Sequence, residues 1–212
     1  MADFRKRLII VNRQLEKVER AQMVFLSEAI LPVAKVESCQ GNPLKIYECL
    51  TNSSECKGKA QQLMSFILES VGSPLLPSSE SCVTALSLEL ALHKLLLDVA
   101  MALRVEHAQD FIYFAAPDLS QNAQNLNAAD ANPSVGLLEL FKCALEQCVI
   151  SAKDVSKLKE WLKEIKAEST LKIVQGFEKR YSLPAGTYML QPYTADFPTV
   201  FDISLTFGLR DL

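Results

Sequence analysis

Histidine is almost missing from this chain: only His93 and His107 occur in 212 residues. A histidine-based metal centre or a Ser-His-Asp relay has little to draw on, and no Cys-His or paired-carboxylate spacing stands out. Glycine occurs seven times and proline nine times. That scarcity favours helices over a sandwich of short strands and tight turns, and no glycine-rich phosphate loop is present. The six cysteines, at 39, 49, 56, 82, 143 and 148, contain no Cys-x-x-Cys spacing. They read as reduced, mostly buried thiols, with a disulfide framework the minority reading. No run of about 18 uninterrupted apolar residues occurs. Arg5, Lys6 and Arg7 precede an apolar run too short for a signal peptide. The expectation is a cytoplasmic, non-catalytic protein with no metal and no cofactor.

Charge of one sign is scarce as well. The formal net charge is −3. Residues 1–77 carry 10 basic and 8 acidic groups, and residues 78–181 carry 11 and 14. Neither half has the basic footprint of a nucleic-acid-binding surface. The 49% of hydrophobic residues is enough for two small cores.

What the chain does have is an internal repeat. Arg7 to Gln22 (RLIIVNRQLEKVERAQ) aligns without a gap on Lys94 to Gln109 (KLLLDVAMALRVEHAQ), at an offset of 87 (105 − 18). Leu44-Lys-Ile46-Tyr47-Glu-Cys49 returns as Leu138-Glu-Leu140-Phe141-Lys-Cys143, at an offset of 94 (143 − 49). A period near 90 is too long for a solenoid and suits a small domain in tandem.

Periodicity places the elements. Phe4, Leu8, Val11 and Leu15 form one helix face, with Asp3 placed to cap it. A second helix covers about 17–29 and ends by Pro32. Gln40-Gly41-Asn42-Pro43 is a turn, and 44–50 a short helix. Asn52-Ser53-Ser54 can cap a helix carrying Ala60, Leu63, Met64, Ile67 and Val71, closed by Gly72 and Pro74. Pro77 to Ser81 is a polar linker. In the second copy Leu88, Leu92, Leu95, Leu96, Val99 and Leu103 form a stripe. A helix from Glu106 stops at Pro117, and 117–133 reads as a loop. Residues 135–145 are helical. Ser151-x-x-Asp154 resembles a capping box before Leu158, Trp161, Leu162 and Ile165. A last helix carries Leu171, Val174, Phe177 and Tyr181. In the tail, Phe201, Ile203, Leu205 and Phe207 alternate with polar residues as a strand would.

This order resembles the tandem death effector domain (DED), each unit a six-helix bundle. The resemblance covers about residues 2–181. It rests on Phe4…Arg7-Leu8-Ile9-Ile10…Leu15, Glu19…Phe25-Leu26 and Ile46-Tyr47-Glu48-Cys49-Leu50 in the first copy. In the second it rests on Leu95…Leu103, Phe111-Ile112-Tyr113-Phe114, Leu140-Phe141 and Leu171…Phe177-Glu178-Lys179-Arg180-Tyr181. The resemblance implies an all-α pair of death-fold bundles: residues 1–77 and 82–181, then a tail at 182–212, extended or disordered. The 31 residues after Tyr181 hold no Gln-Ala-Cys-x-Gly nucleophile motif, unlike initiator caspases. A FLIP-like decoy acting on the adaptor FADD and initiator caspase prodomains is therefore implied, with self-association left open. A truncated caspase prodomain acting as an activator, and a helical enzyme or carrier with an unrecognised site, stay open. The family's charge triad is incomplete here. Glu19 fills the acidic place, but the Arg-x-Asp-Leu places read Gly72-Ser73-Pro74-Leu75 and Glu168-Ser169-Thr170-Leu171.

Candidate partner-binding residues follow. Tyr113 and Phe114 point away from the face formed by Ala108, Phe111, Ile112 and Ala115, and correspond to the family's docking Phe-Leu pair. Packing against the other half of the chain is the competing reading. Phe25 and Leu26 match that pair directly, yet Phe25 also fits a core stripe with Val18, Ala21 and Ala29. Ile9 and Ile10 lie off the core face beside Arg5, Lys6 and Arg13, to seat a partner helix or to pack under a loop. Glu19 completes the set.

Overall fold

The computed structural model describes residues 2–72, 88–103, 105–119 and 133–181. Among them every regular element is helical, and the only β-type pairing is an isolated bridge between Ser151 and Asp154. Five helices precede residue 73: α1 (Ala2–Gln14), α2 (Lys17–Glu28), α3 (Val33–Cys39), α4 (Pro43–Asn52) and α5 (Ala60–Ser70). Five follow: α6 (Leu88–Ala102), α7 (Val105–Ala115), α8 (Pro133–Glu146), α9 (Ser156–Glu164) and α10 (Glu168–Tyr181), with a 3-10 turn at Ala116–Asp118.

The sequence echo is repeated in the helix ends. α2 and α7 end 87 residues apart (28 and 115), while α4 and α8 (52 and 146) and α5 and α9 (70 and 164) each end 94 apart. The packing repeats too. α1 lies on α4 as α6 lies on α8, and α2 meets α5 as α7 meets α9.

Most of the stripes marked by periodicity are buried, while Val18, Ala21, Ala29, Leu88, Leu171 and Tyr181 are half-buried. Phe4, Leu8, Val11 and Leu15 are all interior, as are Ala60, Leu63, Met64, Ile67 and Val71. In the second half Phe111 is wedged between Phe141 and Trp161, with both ring centroids 5.7 Å away and both rings edge-on. The Trp161 indole N–H donates to Asp118 Oδ2 at 2.7 Å, and Lys157 Nζ lies 3.0 Å from the same oxygen. Burial alone would raise the Asp118 carboxyl; these two partners outweigh it and hold the carboxyl below its usual range.

Three local expectations need correction, and one helix was not anticipated. Asp3 lies inside α1 and pairs with Arg7 one turn on. No expectation covered α3, seven residues whose apolar content (Val33, Val36, Cys39) is too short to show a period. Asn52-Ser53-Ser54 does not cap α5, because turns occupy 53–59 and the helix starts only at Ala60. The Ser151/Asp154 pair forms half of a capping box: Ser151 Oγ accepts from the Asp154 N–H at 3.1 Å, while Asp154 Oδ1 accepts from the Ser156 N–H that opens α9. The linker 77–81, most of the loop 117–133 and the strand-like tail lie outside the described residues.

Gly41 closes the corner between α3 and α4 at φ +65°, and a Cβ there would meet Arg20 Cβ at 2.6 Å and the Arg20 carbonyl at 2.8 Å. Arg20 needs that approach, since its guanidinium donates to Asn12 Oδ1 at 2.8 Å, to the Asn12 carbonyl and to the Gly41 carbonyl. One side chain thus ties α1, α2 and the α3–α4 turn together. Gly41→Ala is expected to destabilise the chain by about 2 kcal/mol, from left-handed backbone strain and displacement of Arg20. Urea unfolding reads this directly, and an unchanged midpoint would contradict it.

Candidate interaction surfaces and the junction between the halves

The buried apolar residues of both halves form one continuous cluster. The junction is made by α2, which packs on α6 and α8. Phe25 drives it: its side chain is fully buried, with its ring centroid 4.9 Å from the His93 imidazole on α6. Burial pulls the His93 pKa below its usual value, although Nδ1 sits 2.9 Å from the Glu89 carbonyl oxygen. Leu26 is buried as completely. Phe25 and Leu26 therefore offer no surface to another molecule, and their reading as partner-binding residues is corrected.

An ion pair crosses the same junction. Lys142 Nζ lies 3.0 Å from Glu28 Oε1, and 3.6 Å from Glu139 on its own helix. Oε1 has no hydrogen bond despite that distance, so the contact is coulombic and poorly directed. The two ends respond differently. The Glu28 side chain is 8% exposed and that of Lys142 22%. Burial raises the Glu28 carboxyl, with Lys142 lowering it and Glu139 and Glu37 adding to the rise. Burial would lower Lys142, but Glu28 and Glu139 outweigh it and the ammonium is raised. A well-compensated pair would lower the acid; here the acid sits deeper, and burial prevails on its side.

Tyr113 and Phe114 lie on the outer face of α7. They are 69% and 44% exposed, and pack edge-to-face at 5.6 Å. The first half does not cover them, since α7 packs on α8, α9 and the 3-10 turn. Asp110 and Gln109, one turn back, are also exposed. Ile9 and Ile10 are exposed on α1, among exposed Arg5, Lys6 and Arg13. Their counterparts Leu96 and Leu97 are fully buried, because α2 closes on α6 as well as α8 and α10. Glu19 is half-buried and accepts the Glu16 N–H at 2.7 Å through Oε2. It thus serves the start of α2 as a capping residue.

No protein-family profile, curated protein or solved structure matches the chain. Among the described residues no His, Cys, Asp and Glu cluster could hold a metal ion, and no helix is long and apolar enough to cross a membrane. A polar cleft of about 320 Å³ opens between His107 and the start of α10, lined also by Lys166, Glu168 and Thr170.

Proposed function

We propose that this chain is a non-catalytic tandem-DED interaction protein that regulates death-receptor signalling, a FLIP-like decoy binding the adaptor FADD and initiator caspase prodomains. The observation that carries the reading is the exposed Tyr113–Phe114 pair on α7, set in a helical repeat whose own halves already join by the equivalent helix. Within the chain, α2 docks on α6 and α8. By the repeat, α7 is the counterpart of α2, and α1 with α4 the counterpart of α6 with α8. Both counterparts keep apolar side chains exposed. A DED partner can thus add at either end with the same kind of contact, which is heterologous and does not close on itself. Charge complements the fit: Asp110 borders the aromatic pair, and Arg5, Lys6 and Arg13 border Ile9 and Ile10.

The test is capture of purified FADD and caspase prodomains by the full chain, followed by a caspase activity assay over a range of doses. Capture with activity falling as dose rises supports a decoy. Capture with rising activity supports a scaffold. Failure to bind any DED, with the chain folded, sinks the reading.

A further inference from the structure

The first half holds a pair of thiols that the docking surfaces do not use. Cys39, the last residue of α3, and Cys49 on α4 bring their sulfurs to 3.6 Å. The Cys39 Sγ also lies 3.2 Å from the Lys35 carbonyl oxygen, an acceptor for its S–H. If Cys39 gives its S–H to Lys35, Cys49 gives its own to the Cys39 sulfur. Cys39 is buried and Cys49 only half-buried, so a small oxidant reaches Cys49 first. Burial pushes the Cys39 thiol up to about 11, and the neighbouring Cys49 adds to the rise. Cys39 is therefore poorly suited to react with solvent oxidants by itself.

We propose that Cys39 and Cys49 form a reversible dithiol–disulfide site that takes peroxide as its oxidant. Cys49 attacks the peroxide O–O bond, forming a sulfenic acid and releasing water. Cys39 then attacks the Cys49 sulfur, forming the S–S bond and releasing a second water. Overall two thiols lose two electrons and two protons, and one hydrogen peroxide becomes two waters. The sulfurs need to close by about 1.6 Å to reach the usual bond length near 2.0 Å, a movement within reach of side-chain rotation at a helix end. The resulting ring encloses Gly41 and the turn that Arg20 grips. Oxidation thereby fixes the corner that joins α1, α2 and α4.

The experiment treats the folded full chain with hydrogen peroxide, blocks free thiols, and maps the peptides by mass spectrometry without reduction. The expected result is a Cys39–Cys49 crosslink that forms before the other cysteines are modified, reverts with dithiothreitol, and raises the melting temperature by several degrees. Cys39→Ser should instead leave a sulfenic acid on Cys49 that a dimedone probe labels. Cys49→Ser should leave Cys39 unoxidised under the same exposure. A crosslink through other cysteines, or over-oxidation of Cys49 with Cys39 still free in the unmutated chain, overturns the proposal. The unmutated protein decides it even if a variant fails to fold.

Discussion

Phe114→Asp is expected to lower affinity for a DED partner on the order of 100-fold while leaving the fold intact. A carboxylate carried into a desolvated contact has no partner to offset its lost hydration, and hot-spot aromatics lose several kcal/mol when removed. The fold should survive because α7 is anchored by Ala108, Phe111, Ile112 and Ala115, all buried, while Phe114 is not. Phe111→Asp is the contrast. Its ring lies between Phe141 and Trp161, so that substitution should unfold the second half. Paired melting curves and binding titrations separate the two. A folded Phe114→Asp that binds every DED partner normally would remove the aromatic pair from consideration as a docking knob.

Lys142→Met should cost about 3–5 kcal/mol at neutral pH, because it leaves Glu28 buried and unpaired with Glu37 and Glu139 nearby. Glu28→Gln, by contrast, should be neutral or stabilising, since Lys142 keeps Glu139 within 3.6 Å. The sign of the pH dependence follows from the raised Glu28 carboxyl. Between its ordinary value of 4.5 and its raised native value, the folded chain holds a proton that the unfolded chain has released. Stability therefore falls as pH rises through that window. Glu28→Gln should flatten this fall, and the penalty of Lys142→Met should shrink as Glu28 becomes protonated. Urea unfolding of all three proteins from acid to neutral pH reads the outcome. A Lys142→Met penalty independent of pH would mean that lost packing, not an orphaned charge, is responsible.

The helical architecture was legible because long helices carry their own signal. The stripe through Leu88, Leu92, Leu95 and Leu96 and the one through Ala60, Leu63 and Met64 needed no tertiary context. α3 was not legible, because seven residues offer barely two turns of periodicity and its stability comes from packing on α2 and α4. The exposure of four apolar side chains was legible by subtraction. Tyr113, Phe114, Ile9 and Ile10 lie off the core faces and are exposed. Phe25 and Leu26 could not be resolved that way: a helix that is apolar on two sides can serve a core and an interface at once, and here the second side is closed by the chain's own α6 and α8. The Glu28–Lys142 pair and the Cys39–Cys49 pair were invisible, since both join residues by three-dimensional proximity without any sequence spacing that marks them.

The junction through α2 also has a consequence for synthesis. Phe25 leaves the ribosome more than a hundred residues before α8 is complete, a delay of about 10 s at ordinary elongation rates. During that interval the first half can fold, but the α2 face that meets α6 and α8 stays bare. On a crowded polysome, a neighbouring chain that already displays those two helices is a rival for it. An exchanged junction would hide the same apolar area and would join two chains reciprocally. The high local concentration of the chain's own second half, set by the 17 residues between α5 and α6 (88 − 70 − 1), competes against this exchange. The length of that segment therefore helps decide whether the product is a monomer or an entangled pair.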